Sequence, residues 1–183
     1  MVDEKEMIAE CCKGNRAFQK QLYDQYAPQM LVVCMRYTNS KEDAEDILQE
    51  SFIKVFKSIK NFRKESKLAY WIKRIVINTA LNHYRKQKNL YPNIDINEIR
   101  HVGELSLDIG NMHYEELLNL IQQLPDRCRV VFNLFAIEGY THREIAEQLE
   151  ITEGTSKSQY SRARSLLQHK LEQIRKLEAF RHG

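Results

Sequence analysis

Three groups of residues have types and spacings suited to chemistry. The first is Asp43, Asp46, Gln49 and Glu50, which at i, i+3 and i+4 spacing form an acidic stripe along one side of a helix. Such a stripe is compatible with a solvated helix face, with a dock for a basic partner, or with a carboxylate site for metal binding or acid–base catalysis. The catalytic reading is the weakest, because no His or Cys joins the cluster at ligand spacing. The second group is cationic and aromatic. Lys67, Lys73, Arg74, Arg85, Lys86 and Lys88 are interleaved with Tyr70, Trp71, His83 and Tyr84, and no acid occurs between Glu65 and Asp95. Arg and Asn on one helix face beside exposed rings suit hydrogen bonds to base edges and stacking on unpaired bases. For Trp71 alone, a buried anchor is the simpler reading.

The third group spans Thr141 to Arg164. Thr141 followed by Glu144 is a capping-box signature, and Ile145, Ala146 and Leu149 recur at helical spacing. Gly154 falls in the connection, and Thr152 caps a second helix with the apolar line Tyr160, Ala163, Leu167, Leu171 and Ile174. Lys157, Ser158, Ser161, Arg162 and Ser165 project on the opposite side. Small polar side chains let such a helix lie deep in the major groove, while Lys157 and Arg162 reach guanine edges or phosphates. No Asp or Glu occurs from Thr155 through Leu171. The pattern is that of a DNA-reading helix-turn-helix, against the plainer alternative of a solvated face on a helical hairpin.

The elements that must position these groups are helices. Three prolines and six glycines punctuate 183 residues, and helical periodicity dominates with little strict alternation, which predicts an all-α chain of two small domains. A net charge of +3 is too mild to establish a nucleic-acid partner by itself; the segregation of the cations is the stronger signal. Cys11, Cys12, Cys34 and Cys128 form no CxxC pair and have no histidine at finger spacing. With no signal peptide ahead of them, they read as reduced cytosolic thiols, and no metal or cofactor is expected. No apolar run approaches the roughly 20 residues needed to cross a bilayer, so a soluble protein without membrane insertion is expected.

Along the chain, a first amphipathic segment from Val2 to Lys13 ends near Gly14 and Asn15. A second carries Phe18, Leu22, Tyr23 and Tyr26, and Pro28 either bends or restarts it before Met30, Leu31, Val33, Cys34 and Tyr37. Asn39-Ser40 closes that helix and caps the next, whose core face is Ala44, Ile47, Leu48, Ser51, Val55 and Ile59. The basic helix has the core line Leu68, Trp71, Ile72, Ile75, Val76 and Thr79, leaving Arg74, Asn78, Asn82 and Arg85 to project elsewhere. Periodicity fades from about Asn89 to Asn111, which reads as a flexible linker over 91–111 between domains 1–90 and 112–183. In the second domain one helix stops at Pro125 and another near Gly139, ahead of the helix-turn-helix, which makes a four-helix domain.

Taken in order, Asp43-Ala44-Glu45-Asp46 with Gln49-Glu50 and Phe52, Trp71-Ile72-Lys73-Arg74-Ile75 with Asn78 and Tyr84-Arg85-Lys86, Leu124-Pro125, Gly139-Tyr140-Thr141, and Gly154-Thr155 with Lys157-Ser158 and Arg162-Ala163-Arg164 form a specific set. It resembles the extracytoplasmic-function group of sigma-70-type bacterial RNA polymerase sigma factors over nearly the whole chain. The resemblance implies a cytoplasmic, non-enzymatic subunit that binds core RNA polymerase at its clamp coiled coil and flap, and directs it to promoter DNA. Asp43, Asp46, Gln49, Glu50 and Phe52 would be the polymerase dock. The loop from Arg63 to Leu68, with Lys64 and Lys67, would capture a flipped minus-ten base, recovering the few kcal/mol that flipping costs; Arg74, Asn78, Asn82, Arg85 and Lys86 would flank it. Thr141, His142, Arg143, Thr155, Lys157, Ser158, Ser161, Arg162 and Arg164 would contact the minus-thirty-five element. An anti-sigma factor is implied as a further partner, and no small-molecule substrate.

Two positions depart from the family pattern. Ser156 stands where an aliphatic residue is common, which predicts looser packing under the reading helix. Leu68 stands where some relatives carry an aromatic ring, which favours an apolar pocket wall over base stacking. Two other functions compete with the sigma reading. A stand-alone regulator would use the helix-turn-helix as its only DNA contact, with the N-terminal half for oligomerisation or effector binding. A nucleic-acid-processing enzyme would use the acidic helix, with Asp43 in its metal site.

Overall fold

The computed structural model describes the backbone of residues 3–90 and 114–181, with side chains over 3–86 and 115–176. The expected linker at 91–111 lies outside the described residues. The chain divides into two compact units, residues 1–90 and 91–183. Every described element is a helix or a helical turn, in agreement with the all-α expectation.

The N-terminal unit is built from α1 (Glu4–Cys12), α2 (Arg16–Met35), α3 (Lys41–Ser58), a 3-10 turn (Ile59–Asn61) and α4 (Leu68–Leu90). Gly14 ends the first turn of chain at φ +79°, where a side chain would be strained. The Asn15 side chain then caps α2 by accepting from the Ala17 N–H at 3.1 Å, and the Ser40 hydroxyl caps α3 by accepting from the Asp43 N–H at 3.0 Å. Pro28 neither stops nor restarts α2, which runs through it. Its ring lies on the exposed side, where the carbonyl left without a donor is open to hydration.

Leu22, Ile47, Ile59, Leu68, Ile72, Val55 and Val76 are fully enclosed between α2, α3 and α4. Each such side chain contributes about 1.5–3 kcal/mol relative to exposure. Phe52 meets Tyr23 edge-on at 4.7 Å, and the one polar member of this face, Ser51, returns its hydroxyl to the Ile47 carbonyl at 2.6 Å.

The C-terminal unit comprises α5 (Tyr114–Gln122), α6 (Asp126–Phe132), a π-turn (Asn133–Ile137), α7 (His142–Leu149) and α8 (Glu153–Arg181). Leu120, Ile121, Leu124, Cys128 and Phe132 pack against Ala163, Leu167 and Leu171 of α8. At nine and seven residues, α5 and α6 are too short to persist alone. Arg129 ties them together: 3% exposed, it donates from Nη1 to the Gln122 carbonyl at 2.8 Å and from Nη2 to Asp126 at 2.5 Å. One guanidinium thus caps the end of α5 and pairs with the first residue of α6.

All four cysteines are free. Burial pushes the Cys34 thiol up to about 12, and it raises Cys11 and Cys128 as well, so these three behave as small core residues. Among the described residues, no group of three or more His, Cys, Asp or Glu is placed to hold a metal ion, and no helix is long and apolar enough to cross a membrane.

Candidate nucleic-acid interface

In the C-terminal unit the capping box forms as the spacing predicts. The Thr141 hydroxyl accepts from the Glu144 N–H at 3.2 Å, and Glu144 Oε2 accepts from the Thr141 N–H at 2.8 Å. The bond from the Thr141 N–H foremost, then one that the Thr141 hydroxyl donates to Oε2 at 2.8 Å, holds the Glu144 carboxyl below its ordinary range. The helix ends at Glu150, which takes the left-handed conformation at φ 55°. The next helix starts at once: the Thr152 hydroxyl accepts from the Thr155 N–H at 3.0 Å. Gly154 therefore lies inside the first turn of α8 and not in the connection, and a Cβ there would meet only Thr152 Oγ1 at 3.7 Å.

On α8, Lys157 and Ser158 are exposed, whereas Thr155, Ser161, Arg162 and Arg164 are half-buried. Lys157 pairs with Glu153 at 3.6 Å on the surface, an interaction weak enough to exchange for a phosphate. The Ser158 hydroxyl donates to the Thr155 carbonyl at 2.9 Å. Arg164 lies 5.9 Å over the Tyr160 ring, and the charge of Arg162 opposes the effect of burial on Cys128. Thr141 and Arg143 are exposed at the start of α7.

His142 is placed differently from a phosphate-facing side chain. Its ring stacks on Phe135 at 4.2 Å and 12° and meets Tyr160 edge-on at 5.9 Å, while Nδ1 lies 2.9 Å from the Ser156 hydroxyl. Burial, followed by the Lys157 charge, lowers its pKa below the ordinary 6.5. Ser156 is 0% exposed and occupies the helical register of Ala163, at the head of the core line. The expected looseness there is corrected, because the imidazole supplies the partner that a buried hydroxyl needs. Sequence reasoning missed this pair; its signal is a polar residue in the core register of α8 facing a histidine directly after a cap.

In the N-terminal unit the acidic stripe divides in two. Asp46 and Gln49 are exposed and Asp43 is half-buried. Glu50 is engaged within the domain: Lys54 lies 2.7 Å from Oε1 and His83 of α4 lies 3.2 Å from Oε2. Lys54 also donates to Thr79 on α4 at 3.2 Å. The Lys54 hydrogen bond foremost keeps the Glu50 carboxyl below its ordinary value. Phe52, 2% exposed, is a core residue that supports this face from beneath and does not present a ring to a partner.

The basic surface forms a stripe. Arg63, Lys64 and Lys67 are exposed in the segment before α4, with Lys64 at φ 58°. Tyr70 is 62% exposed, and Arg74, Asn78, Asn82 and Lys86 continue the exposed surface along α4, with Arg85 half-buried. Arg85 donates to Asn82 Oδ1 at 2.8 Å. The expectation for Leu68 is corrected: it is 0% exposed and pins the start of α4 to the core, so it forms no wall of an open base pocket. Trp71 packs on Phe62 with ring centroids 5.3 Å apart, which leaves Tyr70 as the ring available for stacking on this stripe.

Comparisons with known proteins agree with this division. The family description Sigma-70 region 2 matches residues 22–90, and Sigma-70, region 4 matches residues 114–167. The ECF RNA polymerase sigma-E factor of Haemophilus influenzae is 30% identical over 183 residues, covering 93% of this chain and 96% of that protein. The RNA polymerase sigma-H factor of Pseudomonas aeruginosa is 27% identical, covering 93% and 95%. A solved structure of the sigma factor RpoE in complex with the anti-sigma factor NepR from Bartonella quintana is similar in fold, with a TM-score of 0.51 and 24% identity over 84% of this chain and 96% of that one. Membership of this non-enzymatic family replaces both the stand-alone regulator and the nuclease readings. The chain belongs to the ECF group of sigma-70 family sigma factors, the subunits that direct RNA polymerase to promoters and read DNA through a region 4 helix-turn-helix.

Proposed function

We propose that this sigma factor grips its promoter at two points while its acidic α3 face holds polymerase. Asp43, Asp46 and Gln49 form the dock for a basic surface of core polymerase at the clamp coiled coil, with Phe52 and Glu50 shaping it from within the domain. The stripe of Arg63, Lys64, Lys67, Tyr70, Arg74, Asn78, Asn82, Arg85 and Lys86 takes the opened minus-ten strand. Cations hold the phosphates, amides meet base edges, and the Tyr70 ring stacks. Thr141, Arg143, Thr155, Lys157, Ser158, Ser161, Arg162 and Arg164 take duplex DNA at the minus-thirty-five element, with α8 in the major groove and the α7 N-terminus at the backbone. The polymerase flap is the second surface of core polymerase in this reading. The work is done in the cytoplasm, where core polymerase is found.

One observation carries this reading. The same small domain carries an exposed basic stripe with an available ring on α4 and an exposed acidic face on α3. A regulator that contacted only duplex DNA would need neither. An anti-sigma factor as silencing partner is proposed on the same family ground, since a sigma factor similar in fold is described in complex with one.

The test is reconstitution of core polymerase with the protein on a promoter library, followed by mapping of start sites. Start sites that depend on the protein are expected, and Asp46→Lys should remove them by weakening polymerase binding about tenfold or more, some 1.4 kcal/mol. Unchanged affinity in that variant would overturn the dock. Start sites independent of the protein would overturn the function.

A further inference from the structure

The geometry points to His142 and Ser156 as a positioning pair that sets how α8 is presented to DNA; this rests on the reading of α8 as the DNA-reading helix. The two side chains join the first turn of α7 to the first turn of α8 through a contact of 2.9 Å between Nδ1 and Oγ. They lie 14 positions apart and belong to the two helices whose relative angle defines the motif. Ser156 directly precedes Lys157 and follows Thr155, so a shift of its backbone moves both neighbouring contacts together. Besides the bond, Phe135 stacks on the imidazole at 4.2 Å and Tyr160 meets it edge-on at 5.9 Å, so two further rings hold it.

An apolar contact at this place would exclude water but tolerate sliding. A hydrogen bond in a buried setting is directional and costly to leave unmade. The fully enclosed Ser156 hydroxyl has its partner only when α7 and α8 adopt one relative placement. The pair thus converts the packing of a helical hairpin into a fixed register of Thr155, Lys157 and Ser158 against the exposed Thr141 and Arg143. Neither His142 nor Ser156 needs to touch DNA for this. They act through the residues that do.

The experiment uses the full chain with core polymerase and a promoter library randomised in its upstream element. Wild type should enrich one upstream sequence. Ser156→Ala and His142→Gln should lower discrimination between that sequence and its single-base variants by about tenfold, the scale of one lost base contact. Ser156→Thr, which keeps the hydroxyl, and His142→Asn, whose amide can occupy the place of Nδ1, should retain it. Leu171→Ala serves as the control for stability: it opens the same core at its far end and should lower the melting temperature without altering discrimination. The pairing is overturned if Ser156→Ala reads DNA as wild type does, if Asn and Gln at 142 behave alike, or if Leu171→Ala relaxes discrimination equally. Failure of wild type to enrich any upstream sequence would instead remove the DNA-reading assignment, and the positioning role with it.

Discussion

The carboxylate of Glu50 offers a direct test of whether a residue of the acidic stripe serves the fold or the partner. Replacing it with Gln keeps its shape and removes its charge. In the structure it faces Lys54 at 2.7 Å and His83 at 3.2 Å, with the Glu50, Lys54 and His83 side chains 37%, 39% and 29% exposed. At more than a third exposure the charge is well screened, so each pair is worth a few tenths of a kcal/mol and the substitution should cost about 0.5–1 kcal/mol. For a domain of this size that lowers the melting temperature by roughly 4 °C. Trp71 is the sole tryptophan in the chain and packs on Phe62 inside the N-terminal unit, so its fluorescence follows that unit alone during thermal unfolding of the whole protein. The pH dependence has a definite sign. Because the folded-state pKa of Glu50 lies below the ordinary 4.5, its contribution is present above that value and is lost as pH falls through the folded one. The gap between wild type and Glu50→Gln should persist from pH 7 to pH 5 and close in stronger acid. A variant that melts with wild type at pH 7 while binding polymerase as poorly as Asp46→Lys would refute the assignment of Glu50 to the fold.

Other outcomes follow from single side chains. Lys157→Ala should weaken upstream duplex binding for all sequences alike and reduce the salt-dependence slope by about one, read from binding titrations at several salt concentrations. Glu150→Gly should stabilise the C-terminal unit by about 1 kcal/mol, because Glu150 occupies the left-handed region at φ 55° where glycine bears no Cβ penalty; chemical denaturation followed by tyrosine signals measures this, and a loss of stability would contradict it. His142 should titrate below 6.5 by nuclear magnetic resonance, since burial disfavours its cation. The unfolded state then binds the extra proton more readily, so the stability of this unit is complete above about pH 6.5 and falls as pH drops through the folded value. In His142→Asn that slope should vanish.

What was legible in the sequence was what short-range rules decide. Thr141 and Glu144 are three residues apart, and their capping box formed as spacing predicts; Ser40 likewise caps α3. The exposed series Arg74, Asn78 and Asn82 followed from helical periodicity once Ile72 and Val76 were assigned to the core. What was not legible depends on partners far along the chain. Glu50 reads as one member of a charged stripe until His83, on another helix, is found beside it. Ser156 reads as a defect in a core line until His142 arrives from across the turn. Leu68 heads the core line that periodicity gives α4, and its burial follows that line; only the pocket-wall role that the family resemblance implied is lost. Phe52 and Glu50 sit in the same motif as Asp46, yet packing sends one inward and engages the other. Adjacency in a motif does not fix shared exposure.

The layout of α8 also bears on synthesis. The proposed DNA contacts of this helix end at Arg164, but the core that shapes it closes only with Leu167 and Leu171, and α5 and α6 cannot persist without that core. Every contact residue therefore leaves the ribosome before the domain that orients it can fold. The N-terminal unit, whose buried core among the described residues reaches to Leu81, emerges well before then, given that domains fold as units in order of emergence. A nascent chain thus has its proposed polymerase dock formed while its proposed upstream DNA reader is still unfolded. On this reading polymerase binding can precede contact with the upstream promoter element.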